Sequence, residues 1–478
     1  MRAFTAISHR WPTLCGLAFA GAGVLGLVAC GTTTAGGGGV AVSTADSSGD
    51  AALGAEDGTT AADSAGADAV GPDSTGADAN GADANGSDAA AADTAADTAA
   101  DTGGGPFVTA SHLPQSQVIN SKGNLLTNPT VVPIFYANDA LQSEIEALAA
   151  AMSTQPWWNQ VVGEYGIGAL QVGKSLMMTT AATANATENN VLGALKANLG
   201  NGKVWGPIVD GAVYVFVIPD GTTYTDSSGG VCCNDYDGYH DSEMVGSVEV
   251  AYAVVCECAN EATGGVTIAQ AFAGAFSHEV VEAATDPDPN TEPAYADVDT
   301  NSTAWSVANG GEIADMCEYE PDVNIQPDGF ALPVVRVWSN AAAAAGQDPC
   351  VPAPAGEVYF NAMPISLSSV HIIDNYGSTV LTKGIAAPSG QTVVVPIGLF
   401  STGEMSVPIT VQFYDFSAYM GTTALLTGTF DTATGGNGDT LNLTIHVKKY
   451  DSQLAGALFI LESTDGTHSH QWTGFVGK

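Results

Sequence analysis

Residues 31–105 contain no Lys, Arg, Ile or aromatic side chain, and from Asp63 to Asp93 an aspartate recurs at every fifth position. A segment of Ala, Gly, Thr and Asp cannot bury enough apolar surface to offset its chain entropy. Its charges repel one another and favour an extended chain. It lacks the glycine turn and bidentate glutamate of a calcium loop, so its aspartates are read as solvated. Residues 31–105 are therefore expected to be a disordered acidic spacer, and any fold has to be built from residues 106–478.

The N-terminal side of the spacer looks like an address. Arg2 and Arg10 flank a positive N-terminal stretch, followed by apolar residues 14–29. This run is short for a transmembrane span. It ends Leu27-Val28-Ala29-Cys30-Gly31, which resembles the bacterial lipobox, where cleavage precedes the cysteine and the cysteine is lipidated. Residues 1–30 are thus expected to be a lipoprotein signal peptide, with Cys30 lipidated. The expectation is an exported bacterial lipoprotein, membrane-anchored and facing the periplasm or the cell exterior.

The chain carries 11 Lys+Arg against 51 Asp+Glu, for a net charge of -40. Setting aside Arg2, Arg10 and the acids of the spacer leaves 9 bases and 38 acids after residue 105. Phosphate backbones are bound by clustered Lys and Arg, so this balance excludes a nucleic-acid partner. The expected partners are the membrane, reached through the N-terminal lipid, and an extracellular protein or wall polymer.

Two folded regions are predicted. Residues 106–352 mix strand and helix patterns: buried strands at 131–136, 212–218 and 248–256, and helices at 141–152, 189–199 and 267–284. From about 353 to 478, short β-rich runs alternate with Gly, Asn and Asp turns, and helical periodicity nearly vanishes. The predicted class is an α+β domain with a mixed sheet, followed by an all-β sandwich acting as an accessory module. In it, His468 and His470 are read as belonging to a surface strand.

Cys15 falls in the signal segment. Cys232, Cys233, Cys256, Cys258, Cys317 and Cys350 all fall in the first folded region. An even number in an exported chain implies disulfides, with the pairing left open among 15 arrangements. A thiolate metal site is the weaker alternative, because the C-x₂-C spacing of zinc ribbons is absent.

One motif carries chemistry. The helix at 267–284 contains Ser277-His278-Glu279-Val280-Val281-Glu282, which is H-E-x-x-E. Residues i and i+4 of a helix share a face, so His278 and Glu282 can hold two corners of a metal site. Glu279 between them is placed to take a proton from a water polarised by that ion. The logic is that of H-E-x-x-H with a carboxylate in place of the second imidazole. A third ligand is needed, and the candidates are Glu312, then Asp315, then His240; Asp286 is read as closing the turn before Pro287. Zinc is the expected ion. Calcium is the alternative, held by Glu282, Asp286, Glu312 and Asp315, because calcium prefers oxygen. A zinc site requires the donors to converge with an open face. Glu282 bound to backbone amides would point instead to a structural role.

The stretch 277–287, with Glu312-Ile313-Ala314-Asp315-Met316-Cys317 downstream, resembles a group of exported bacterial and fungal proteins. Pro133-Ile134-Phe135-Tyr136, Trp157-Trp158, and residues 213–219 leading through Cys232-Cys233 to Gly238-Tyr239-His240-Asp241-Ser242 are similar to the phosphate-induced, EXORDIUM-like family of secreted proteins. The resemblance covers about residues 125–350 and implies an extracellular or wall-associated protein. Taken together, the residues predict a zincin-like domain and a zinc-dependent hydrolase, most simply a metallopeptidase. The alternative is a non-catalytic cell-surface or matrix protein of EXORDIUM-like type, with H-E-x-x-E structural or calcium-binding.

Overall fold

A computed structural model of the chain describes residues 106–478. Residues 1–105, with the expected signal peptide, the expected lipidation site Cys30 and the expected spacer, lie outside the described residues. The described residues belong to one compact unit, of mixed α and β structure with a β-rich C-terminal region.

The first region is built on a sheet whose central strands are apolar on both faces. Strands β1 (Thr130–Phe135), β2 (Ala212–Ile218) and β4 (Val248–Cys256) run parallel in that order. Strand β3 (Gly238–Val245) closes one side, antiparallel to β4. Two short strands, Gln171–Val172 and Leu176–Met177, pair with β1 on the other. Parallel strands need crossover connections, and their central members are covered on both faces, which is why β1 and β2 read as unbroken apolar runs. Side chains alternate between the faces. Val131, Phe135, Val213, Val215 and Val255 enter one core, and Val132, Ile134, Tyr214, Phe216 and Val254 enter another.

Helices fill the two sides. Helices α1 (Gln142–Thr154), α2 (Trp157–Val162) and α4 (Ile268–Thr285) contribute to the first core. Helix α3 (Glu188–Asn198) contributes to the second. Helix α4 is the longest of the described elements and carries the H-E-x-x-E motif. Thr267 caps its first turn in a capping box with Gln270. Phe272, Phe276 and Val280 are buried along it at four-residue spacing. Ser277 is also fully buried; its hydroxyl donates to the Gly274 carbonyl and accepts from the Val335 amide at 3.0 Å.

The cysteines form three disulfides: Cys232–Cys256, Cys233–Cys258 and Cys317–Cys350. Their sulfurs are consumed in these bonds, so the thiolate metal alternative falls. Among the described residues no helix is long and apolar enough to cross a membrane.

The β-rich region contains two sheets. Strands β5 (Phe360–Pro364), β8 (Thr392–Ser401), β11 (Thr440–Val447) and β10 (Leu426–Phe430) form one, in that order. Strands β6 (Ser368–Ile373), β7 (Thr379–Ala386), β13 (Ser469–Gly477), β12 (Ala457–Thr464) and β9 (Ile409–Asp415) form most of the other. Residues of both sheets, such as Phe360, Leu443, Leu461 and Trp472, belong to the same apolar cluster as Phe272 and Val280 of α4. One continuous core therefore runs from the motif helix into the β-rich region.

His470 departs from its expected place. Strand β13 lies inside its sheet between β7 and β12, and His470 is 1% exposed rather than on the surface. Its Nε2 lies 2.9 Å from Glu357 Oε1, and its Nδ1 faces Glu320 Oε2 at 3.7 Å. Beside this group the fully buried Arg336 donates to Asp322 at 2.6 Å, to Asp348, and to the Cys350 carbonyl. Burial works against the charged imidazole, but Glu320 and Glu357 outweigh it and hold the His470 pKa up at about 10.

A raised pKa contributes stability that is fully present below the unfolded value, about 6.5, and is lost as pH climbs through about 10. Denaturant midpoints of the wild-type chain should therefore fall across that window. His470→Gln should flatten this slope and cost about 3–5 kcal/mol at neutral pH, because two buried carboxylates lose their cation. Parallel pH profiles for the two proteins would refute the pairing.

Candidate metal centre

The centre forms where the C-terminal half of α4 meets strand β3 and the loop after Gly310. Helix α4 supplies His278, Glu279 and Glu282, and Asp286 follows at its end. Strand β3 supplies His240, two residues in from its start. The loop supplies Glu312 and, on a short 3₁₀ turn (Asp315–Cys317), Asp315.

Glu282 is the hub. Its Oε1 accepts hydrogen bonds from the backbone amides of Ala314 and Asp315, at 3.1 and 3.0 Å. Its Oε2 lies 3.0 Å from His278 Nε2 and 3.9 Å from His240 Nδ1. The two oxygens therefore divide the two roles the motif allows: one anchors the loop, and the other remains a donor atom facing both imidazoles.

Two groups of donor atoms share that oxygen's carboxylate. In one, His278 Nε2 is 3.0 Å from Glu282 Oε2 and 3.2 Å from Asp315 Oδ1. In the other, His240 Nδ1 is 3.3 Å from Glu279 Oε2. Within each group of three residues the donor atoms lie within 4.8 Å of one another. Glu312 stands with His240, its Oε1 at 3.4 Å from His240 Nε2, and forms no ion pair with His278 among the described residues. Asp286 Oδ1 accepts from the Ala294 amide at 2.8 Å, and its main-chain oxygen meets His240 Nε2 at 2.9 Å. Of the three ligands weighed from the sequence, Asp315 is the one brought beside His278 and Glu282, while Glu312 and His240 face each other.

Local backbone explains the placement. Gly310 has φ 103°, and a Cβ there would strike the Asp315 carboxylate. The glycine turn thus both reverses the chain and leaves room for Asp315 to face α4. Gly238, at the start of β3, plays the same part for Glu279: a Cβ would lie 2.9 Å from both Glu279 Cγ and Oε1. The Cys317–Cys350 disulfide fixes the chain two residues beyond Asp315.

The electrostatics are those of crowded acids. Burial alone would discharge both imidazoles, but their carboxylate neighbours overcome it and raise both pKa values well above the usual histidine range. Glu312 and Glu279 do this for His240, and Glu282 and Asp315 do it for His278. Burial, reinforced by the Glu282 charge, raises Glu312 well above the carboxylate range and pushes Asp315 up to about 8. Burial also raises Asp286. Glu282 alone moves down, because His278, His240 and the Asp315 amide overcome its burial. Opposed shifts on adjoining groups cluster at functional sites and occur in buried structural ion-pair networks as well.

The donor set could hold a metal ion, and its spacing can be set against that of zinc. Metal–ligand bonds of about 2.0–2.2 Å in a tetrahedron put donor atoms roughly 3.3–3.5 Å apart. The 3.0 and 3.2 Å separations around His278 Nε2 need only a few tenths of an ångström of opening. Calcium would want six to eight oxygens, and a nitrogen at the centre of the triad argues against it. The side chains of His278, Glu312 and Asp315 keep 14%, 17% and 20% exposure, so solvent reaches only the rim of the cluster. Compared with known proteins, the chain matches no family model and no curated sequence.

Filling the space at Gly238 tests the packing. Gly238→Ala should push Glu279 off its position and destabilise the fold by about 1–3 kcal/mol, the usual result of overpacking. The check is chemical denaturation of the variant beside Glu279→Ala/Gly238→Ala, in which the clash is removed and most of the loss returns. Equal loss in both would show that Glu279 is not what Gly238 accommodates.

Proposed function

We propose that His278, Glu282 and Asp315 bind a zinc ion and that the protein is a zinc-dependent hydrolase, acting on peptide bonds. The observation that carries this is the convergence of His278 Nε2, Glu282 Oε2 and Asp315 Oδ1 on a solvent-facing side of α4, with Glu279 from the same helix turn beside them. The zincin-like description of the first region belongs to this proposal. It rests on a metal-binding helix with an acid next to its first ligand, lying against a mixed sheet.

Bound zinc supplies Lewis-acid polarisation of a carbonyl and lowers the pKa of water. The chain's own residues do the rest. Glu282 fixes the distance between α4 and the loop through the Ala314 and Asp315 amides, so that His278 and Asp315 meet. Glu279 takes a proton from the attacking water and delivers it to the leaving amine. Gly238 keeps the space in which its carboxylate sits. Together with the lipobox at Cys30, the three disulfides support an exported protein tethered to a membrane by residues 31–105, with extracellular proteins as its substrates. The Glu282–amide bonds favour one other reading, a non-catalytic surface protein in which the same carboxylate only pins the loop.

The test is metal content of the full chain after dialysis against zinc, read by mass spectrometry. One tightly held ion per chain is expected, lost in Asp315→Ala. Glu279→Gln should keep that ion and lower the cleavage of a peptide library by at least about a hundredfold, the usual scale of proton-transfer catalysis. A wild-type chain that holds no zinc overturns the proposal. Zinc without cleavage of any peptide leaves the surface protein as the better account.

A further inference from the structure

His240 has no task in the proposed reaction, yet it is buried and held at both ring nitrogens. Its Nε2 lies 2.9 Å from the Asp286 carbonyl oxygen. A carbonyl only accepts, so Nε2 carries a hydrogen. On the other side of the ring, Nδ1 faces Glu279 Oε2 at 3.3 Å and Glu282 Oε2 at 3.9 Å. In the neutral ring Nδ1 is a lone pair, and ionised carboxylate oxygens only accept. Three acceptors within 4.8 Å of one another require a positive centre among them: a proton on Nδ1, or a cation. An imidazole whose far N–H is fixed by a backbone carbonyl has the orientation usual for metal ligands.

Two further observations point to a cation. Asp286 is fully buried, and its Oδ2 accepts no N–H; Glu312 Oε1 has only the contact with His240 Nε2, at 3.4 Å. The cluster also counts Glu279, Glu282, Asp286, Glu312 and Asp315 against only two imidazoles, and its ion pairs among the described residues are all to those histidines.

We propose that the cluster holds a second divalent cation on His240 Nδ1, Glu279 and Glu282, next to the first, with the Glu282 carboxylate shared between them. This rests on the reading that the His278 group binds metal. The second ion binds against the charge of the first, so it fills later and more weakly. Once bound, it makes Glu279 a ligand, and a coordinated carboxylate does not carry a proton. Excess metal therefore switches the centre off.

The experiment is a zinc titration of the full chain by equilibrium dialysis, with bound metal counted by mass spectrometry and folding followed by circular dichroism. Two separate steps are expected, reaching one and then two equivalents. His240→Gln should remove the second step, or weaken it by at least about tenfold, while leaving the first. Glu279→Gln should weaken the same step, which keeps the test decisive if the His240 variant does not fold. A single step ending at one equivalent, lost in Asp315→Ala, would overturn the second ion and leave the proposed function standing. A second step unchanged in both variants would also overturn it. Failure to bind any zinc would remove this inference and the proposed function together.

Discussion

Placing a carboxylate where water barely reaches it is costly unless its charge is met on every side, and Glu282 is that carboxylate. It is 2% exposed. Two amides from a loop more than thirty residues downstream meet one oxygen, and two imidazoles face the other. The loop's course, the approach of β3 to α4 and the orientation of both rings all follow from satisfying this one group. The acids around it are tolerated on the same terms: Asp286 has the Ala294 amide, and Asp315 has His278. Glu312 is met by His240, whose Nε2 lies 3.4 Å from its Oε1.

Anchoring and chemistry therefore reside in a single side chain. An isolated helix turn bearing His278 and Glu282 would have two donors and no third. The third arrives only because Glu282 has already captured the backbone that carries it. The donor group is assembled by folding, and any affinity it has for a metal is linked to the stability of the 310–317 loop. That loop is in turn held from behind, through the Cys317–Cys350 disulfide, to the segment containing the buried Arg336 group.

Much of the scaffold is legible in the sequence because its periodicities are strong. The 212–218 and 248–256 strands have the predicted limits, and α4 is displaced by a single residue from 267–284. The i, i+4 pairing of His278 and Glu282 requires only that α4 be a helix. The third donor is harder to order. Helical spacing would put Glu312 and Asp315 side by side, whereas the chain there passes through a glycine turn and one 3₁₀ turn, which sends them to different imidazoles. Strand β3 has no signature of its own, because Gly238-Tyr239-His240-Asp241-Ser242 has neither alternation nor an apolar run. It is a strand because β4 offers it a free edge. His470 reads as a surface residue because its polar neighbours in sequence look solvated; its burial depends on Glu320 and Glu357, which lie more than a hundred residues away. Local patterns encode elements, whereas the polar groups of the interior are fixed by partners that no local pattern contains.

The two disulfides next to β3 and β4 join adjacent cysteines to near-adjacent ones, Cys232 to Cys256 and Cys233 to Cys258. Exchanging partners would close loops of almost the same size, and loop entropy varies too slowly with length to tell the two arrangements apart. The choice falls to the backbone. Cys233 sits at φ 68°, a left-handed conformation in which successive side chains no longer diverge as in a strand. The Cys233 amide is held there by the Tyr236 carbonyl. Oxidation that outruns this four-residue turn can trap the exchanged pair, so the yield of correctly paired chain is a kinetic contest between a local turn and the oxidant.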